Sequence, residues 1–268
     1  MKPLNFFAAL LFCAVQFGTA HAGTSVFLED LTWTELRDAI KAGSTTVIIP
    51  IGGTEQSGPH LALGKHNGRV HFIAGKIAEK LGDAIVAPII AYVPEGAIDP
   101  PTEHMKFPGT ITISDAAFEQ VLESAAASLK HAGFKRIVLI GDHGGYQGDL
   151  SIVADKLNAK WKSSDARVLA DRNYYRLAQE PYAAALEAKG ISKDEIGTHA
   201  ALADTSLELA TVPDMVRTDK MKDGTKTTLE QGVYGGSPAR SSSAFGQLGL
   251  DLIVSGTVTD IQAFEASR

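Results

Sequence analysis

The sequence predicts an α/β protein built on a mostly parallel sheet with helices on both faces. Two observations lead there. Runs of branched apolar residues alternate along the chain with segments whose apolar residues recur at helical spacing, and the apolar runs empty into loops rich in glycine, histidine and acidic side chains. Strands buried on both faces read as continuous apolar runs, which is the pattern of parallel sheets covered by helices. At 268 residues and 44% hydrophobic, the chain is long enough for one large domain with a sizeable core.

The elements follow in order. Residues 34–41 read as a first helix, with Thr32 or Thr34 as its N-cap and Gly43 as its stop. Residues 46–51 form a buried strand that Gly52 and Gly53 break. A helix over 68–81 carries Val70, Ile73, Ala74, Ile77 and Leu81 on one face, and Gly82 ends it. Residues 84–90 form a second strand. The loop over 92–108 is long and rich in proline, glycine and acidic residues, and loops of that length in compact domains tend to serve function. Ser114 caps a helix running to Ala132, with Gly133 after it. Strand 136–140 then empties into Gly141-Asp142-His143-Gly144-Gly145. Helix 150–161, strand 167–170 and helix 181–189 continue the alternation. The apolar run 206–210 and a glycine- and serine-rich segment over 232–249 complete the chain.

The N-terminus carries Lys2, an apolar segment over 6–17 and then Ala20-His21-Ala22, the order of a secretory signal peptide. Residues 1–22 are therefore expected to be a cleaved signal, and 23–268 a single domain that is periplasmic or secreted, with no membrane contact after cleavage. Cys13, the one cysteine, falls in that signal, so the mature chain forms no disulfide. The net charge of −6 is ordinary for a soluble protein. Basic residues are scattered and aromatics are 7% of the chain, so the footprint of a nucleic-acid-binding protein is missing.

Chemistry concentrates in three loops: Glu55, His60 and His66 after the first strand, Asp142 and His143 after the third, and His199 with Asp204 further on. In an open parallel sheet such loops converge on the carboxyl edge even when far apart in sequence. Carboxylates and imidazoles together suit zinc, manganese or a similar divalent ion. Histidines 71 and 131 lie on or at the end of helices and read as core or surface residues, whereas the glycine-rich settings of His66, His143 and His199 favour function.

Several of these segments resemble the creatininase family of metal-dependent amidohydrolases. EQSGPHLALGKH, residues 55–66, resembles that family's EQHGPHLP followed by threonine-aspartate. HMKFPGTITIS, LIGDHGGYQG, GTHAALADTS and GVYGGSPARSSSAFGQLG resemble its EHxxFPGTxTxS, NGHGGN, HAGxxETS and C-terminal glycine-rich motifs, in the family's order and over most of the mature chain. The resemblance implies a three-layer α/β/α sandwich, a homohexamer, and a hydrolytic site with one or two metal ions. Position by position, Glu55 and His143 match metal ligands, His199 matches a proton-transfer residue, and Asp204 stands where a glutamate is often a further ligand.

Two departures matter. Ser57 replaces a ligand histidine, and His66 replaces the aspartate that bridges two ions; an imidazole cannot bridge as a carboxylate does. The expectation is one ion, zinc or alternatively manganese, bound by Glu55, His66 and His143 with Asp204 or water completing the shell. Asp142, in place of a glycine, is expected to orient a ligand imidazole or to add an acid-base group beside His199 and Asp204. His60 supports the site, Glu103 and His104 line the substrate mouth, and the amides of Gly144 and Gly145 are candidate oxyanion donors. The reaction expected is attack of metal-activated water on a carbon-nitrogen bond of a small, cyclic amide. Two alternatives are a metal-dependent lactonase and a periplasmic protein that binds metal or ligand without catalysis.

Overall fold

The structure, a computed structural model, describes residues 25–221 and 229–267. The expected signal segment lies outside them. Helix α1 (Trp33–Ala42) starts at Thr32, whose hydroxyl accepts from Glu35 N while the Glu35 carboxylate accepts from Thr32 N, so two orphan amides are satisfied reciprocally. It feeds strand β1 (Thr46–Ile51), buried throughout. Helix α2 (Lys65–Leu81), strand β2 (Ala84–Val86), helix α3 (Asp115–Ala132), strand β3 (Arg136–Gly141), helix α4 (Gln147–Lys160) and strand β4 (Arg167–Ala170) follow. The four strands form a parallel sheet in the order β2-β1-β3-β4.

The rest of the chain is helical, apart from a short ribbon. Helices α5 (Arg172–Leu177), α6 (Glu180–Glu187) and α7 (Lys193–Ile196) lead into strand β5 (Gly197–His199) and helix α8 (Leu202–Thr211). Strand β6 (Tyr234–Gly236) pairs antiparallel with β5 through His199 and Tyr234, and helix α9 (Ser243–Ala266) ends the fold. No helix of the described residues is long and apolar enough to cross a membrane.

Because side chains alternate along a strand, β1 feeds two cores. Val47, Ile49 and Ile51 pack with Phe118, Leu122, Leu150 and Val153 of α3 and α4. Ile48 packs instead with Val70, Ile73 and Ile77 of α2 and with Tyr182, Leu250 and Ile253. Helices therefore cover both faces of the mostly parallel sheet, giving the three-layer α/β/α sandwich that the sequence predicts.

Three boundaries differ from the sequence expectation. Strand β2 stops at Val86 rather than at Ile90: Ala87 N still donates to the Ile48 carbonyl at 2.8 Å, but Pro50 has no N–H to return, and the next bond runs from Ile90 N to the Pro50 carbonyl at 3.0 Å. Helix α2 begins at Lys65 rather than Gly68. Gly68 is inside the helix because a Cβ there would come 3.0 Å from Met215 Cε, so the glycine marks a close approach and not a helix start. The third difference is α9, whose 24 residues the sequence pattern did not announce. Its glycines and β-branched residues argue against a helix on propensity, yet Gly246 lets it cross α8 with the Ser206 carbonyl where a Cβ would otherwise lie, 1.8 Å away.

Candidate metal centre and active site

The strand order places the site. From β1 the chain moves outward to β2, and from β3 outward to β4, so connections leave the β1/β3 pair in opposite directions and open a crevice beyond their carboxyl ends. Ile51 is paired with Gly141 at those ends, so the loops carrying Glu55 and Asp142-His143 leave side by side. Tyr146 ties them together: its hydroxyl lies 2.6 Å from the Gly52 carbonyl and 2.9 Å from that of Ile51, and it accepts from His143 N at 3.2 Å.

Four side chains there form one ligand group. Donor atoms of Glu55, Glu95, His104 and His143 all lie within 4.8 Å of one another. Glu55 Oε2 is 3.1 Å from His104 Nε2 and 3.4 Å from His143 Nε2, and Glu95 Oε2 is 3.7 Å from His143 Nδ1. Both carboxylates are buried, and among the described residues Glu55 Oε2 and both oxygens of Glu95 have no hydrogen-bond partner. Buried carboxylate oxygens left without partners are costly unless a cation meets them.

The electrostatics agree. Burial, with the charge of Glu55, pushes the Glu95 carboxyl up to about 8. Burial resists ionisation of Glu55 too, but His66, Lys65 and His143 hold it well below the usual range. Burial lowers His104, and it lowers His143 to about 4, so both imidazoles are neutral, the form that ligates metals. Two carboxylates and two neutral imidazoles suit a divalent ion of the zinc or manganese type.

His66 and Asp204 stand outside this group. Because α2 starts early, Lys65, His66 and Arg69 share its first turn and project together into the site. His66 presents Nε2 to Glu55 Oε1 at 2.7 Å and Nδ1 to Asp142 Oδ2 at 2.6 Å. Burial and Lys65 oppose its protonation, yet Glu55 and Asp142 raise its pKa. Arg69 Nη2 also approaches Nδ1 at 3.0 Å, so both ring nitrogens of His66 are engaged by neighbours outside the ligand group. Asp204 is held by Lys65 Nζ, by Arg69 Nη1 at 2.5 Å and by the Ala200 amide at 2.9 Å, and these cations overcome burial to keep it ionised. Its oxygens are already committed.

The remaining predicted residues separate as follows. Burial resists ionisation of Asp142, but Arg69 and His66 lower its pKa; its carboxylate contacts His66 Nδ1 at 2.6 Å and accepts from the Tyr174 hydroxyl at 3.0 Å. His199 Nε2 lies 3.0 Å from the Gln56 carbonyl and 3.3 Å from the Gln56 side-chain amide nitrogen, and its Nδ1 is 3.6 Å from Glu55 Oε1. Burial and Lys65 lower it to about 3. Ala200 beside it has φ 52°, a left-handed strain for a residue with a Cβ, fixed by the Asp204 hydrogen bond. His60 Nε2 meets Thr205 Oγ1 at 2.9 Å and is lowered by burial to about 4, a buried support and not a ligand. The Ser57 hydroxyl is buried and unpartnered among the described residues. Glu103 is exposed and does not line the cavity, whereas His104, next to it, belongs to the ligand group. The Gly145 amide points at His143 Nδ1, 3.3 Å away, so it does not serve as an oxyanion donor, and neither Gly144 nor Gly145 lines the cavity.

Sequence reasoning missed Glu95. One signal was available: Gly53, at φ 155°, would put a Cβ 2.6 Å from Glu95 Oε1, so the glycine pair after β1 clears space for a carboxylate from the second loop. A cavity of about 360 Å³ opens beside these groups, lined by Lys65, Arg69, His104, His143, Tyr175 and His199.

Fold and site together define a three-layer α/β/α protein with a candidate carboxylate-imidazole metal site at the switch point of its sheet. Residues 29–261 match the family model for creatininase, described as creatinine amidohydrolase, and the chain belongs to that family. It is 30% identical to a mycofactocin precursor peptide peptidase of Mycolicibacterium smegmatis over 69% of this chain and 65% of that one. It is 28% identical to a 3-dehydro-scyllo-inosose hydrolase of Thermotoga maritima over 72% and 58% respectively. With a creatinine amidohydrolase of Pseudomonas putida it shares 26% identity over 81% of this chain and 84% of that one. The chain thus spans about two thirds or less of the first two relatives' lengths. Among solved structures, a manganese creatininase superposes with a TM-score of 0.76 at 22% identity, over 91% of this chain and all of that one, which is a likeness of fold.

Proposed function

We propose that this chain is a metal-dependent hydrolase that cleaves a carbon-nitrogen bond in a small, cyclic amide. The observation that carries the reading is the buried group of Glu55, Glu95, His104 and His143, in which three carboxylate oxygens have no hydrogen-bond partner among the described residues and both histidines line a cavity at the β1/β3 switch point. These four would hold one divalent ion, zinc or alternatively manganese. When bound, such an ion supplies Lewis acidity, polarising a carbonyl and making water a nucleophile near neutral pH.

The chain's own residues do the rest. His199 lines the cavity with Nε2 against the Gln56 carbonyl, and it is the residue assigned to carry a proton from the attacking water to the departing nitrogen. Asp204 and Asp142 act as positioning residues for Lys65, Arg69 and His66. A cavity of about 360 Å³ has room for a small molecule beside the ligand group. The family supports the chemistry: relatives carry the names peptidase, hydrolase and amidohydrolase.

His143→Ala tests the reading, with loss of both metal and turnover expected; full turnover without metal would sink it. A panel of lactams, formamides and matched lactones separates amide from ester cleavage, and tight binding of a panel member without consumption would favour a binding protein. The same proposal takes residues 1–22 as a cleaved export signal and the assembly as a homohexamer, checked by N-terminal sequencing and by light scattering of the secreted protein.

A further inference from the structure

Attack of water on an amide puts negative charge on the carbonyl oxygen, and a site that speeds the step presents a donor to that oxygen. The glycine amides expected to supply one do not, since Gly145 N points at His143 Nδ1 and neither Gly144 nor Gly145 lines the cavity. The cations of the wall are engaged as well: Lys65 is bonded to Asp204, and Arg69 to Asp142 and Asp204. Thr198 Oγ1 donates to the Tyr234 carbonyl at 3.2 Å. Two side-chain donors of the wall have no hydrogen-bond partner among the described residues, the Tyr175 hydroxyl and the Gln179 amide.

Of the two, it is Tyr175 that packs on the loop of His143. Strand β4 ends at Ala170, and α5 then carries Tyr174 and Tyr175 in adjacent positions beyond the carboxyl edge of the sheet. Tyr174 is fully buried, and its hydroxyl donates to Asp142 Oδ1 at 3.0 Å. Tyr175 lines the cavity and lays the tip of its ring on Gly144, where a Cβ would lie 2.7 Å from the hydroxyl oxygen and 3.1 Å from Cζ. Gly144 directly follows His143, so the position after a candidate ligand is kept free of a side chain where this phenol sits. Burial, with the charges of Asp204, Asp142 and Glu55, raises the phenol above its ordinary value against the pull of Arg69, so it is a donor at neutral pH.

We propose that Tyr175 is a catalytic residue, the hydrogen-bond donor to the carbonyl oxygen of the substrate. This rests on the amide-hydrolase reading above. As water adds to the amide carbon, the π pair of the carbonyl moves onto oxygen, and the Tyr175 O–H tightens on that oxygen while keeping its proton. When the carbon-nitrogen bond breaks, the pair returns to re-form the carbonyl, and nitrogen leaves with its bonding pair and the proton that water gave up. Gly144 then serves the reaction by making room for a side-chain donor, not by offering its own amide.

The test uses the lactam or formamide that metal-loaded wild type turns over fastest. Tyr175→Phe is expected to keep its metal and a KM within about threefold of wild type, with kcat down about 100-fold, as for one lost oxyanion donor. Wild-type kcat in that variant, or a rise in KM alone, overturns the proposal and leaves the hydrolase reading intact. Loss of metal from Tyr175→Phe overturns it too, since the hydroxyl would then serve the ion. Gly144→Ala displaces the phenol, so it should lower kcat in the wild type and add little in the Tyr175→Phe background; equal losses in both backgrounds overturn the proposal. Should Tyr175→Phe fail to fold, Gly144→Ala decides alone, and wild-type kcat there overturns it. A wild type that turns over no amide overturns both readings.

Discussion

Replacing Asp171 by asparagine should stabilise the protein above neutral pH, and the size of the gain follows from where the carboxyl sits. Asp171 follows β4, is 4% exposed, and caps α5 by accepting from Asn173 N at 3.0 Å. Its Oδ2 has no partner, and Asp260 of α9 lies near enough to repel it. Burial, reinforced by Asp260, raises its pKa from 3.8 to about 7. A carboxyl whose folded pKa is raised binds more protons in the native state, so its contribution is present below the ordinary value and lost as pH rises toward 7. Three pH units at 1.36 kcal/mol each give about 4 kcal/mol, an upper bound for a buried group. Asparagine keeps the oxygen that caps α5 and removes the charge. Urea unfolding of metal-loaded wild type and Asp171→Asn between pH 4 and 8.5 should show curves that coincide near pH 4 and diverge in favour of the variant up to pH 7. Other raised groups, including Glu208 at about 8, are common to both chains and cancel. Parallel curves, or a variant less stable at pH 8, would refute the reasoning.

Three further outcomes are expected. Gly246→Ala drives a Cβ into the Ser206 carbonyl and separates α8 from α9, costing about 3 kcal/mol or more in a denaturant midpoint. Tyr146→Phe removes the hydroxyl that ties the β1 and β3 loops, with a loss of about 1–3 kcal/mol by calorimetry and weaker metal retention on dialysis. Glu95→Gln should weaken divalent-ion affinity by more than the roughly 10–100-fold typical of an outer partner, measured by competition with a chromogenic chelator, while far-ultraviolet circular dichroism stays unchanged.

The sequence by itself determined the alternation of strands and helices, the caps at Thr32 and Ser114, and the loops after the first and third strands, because these depend on periodicity and on neighbours a few residues apart. It also carried the family motifs that place Glu55, His143 and His199. Tertiary structure decided which of these groups meet. His66 looked like a ligand until the early start of α2 set it between Glu55 and Asp142, both of its nitrogens engaged. Asp204 is drawn to Lys65 and Arg69, apart from the group of Glu55, Glu95, His104 and His143. Glu95 and His104 gained theirs because the long second loop folds back over Gly53, a path fixed by packing between segments some forty residues apart. Charge and coordination depend on distance in space, and a one-dimensional pattern encodes that distance only where the chain itself is regular.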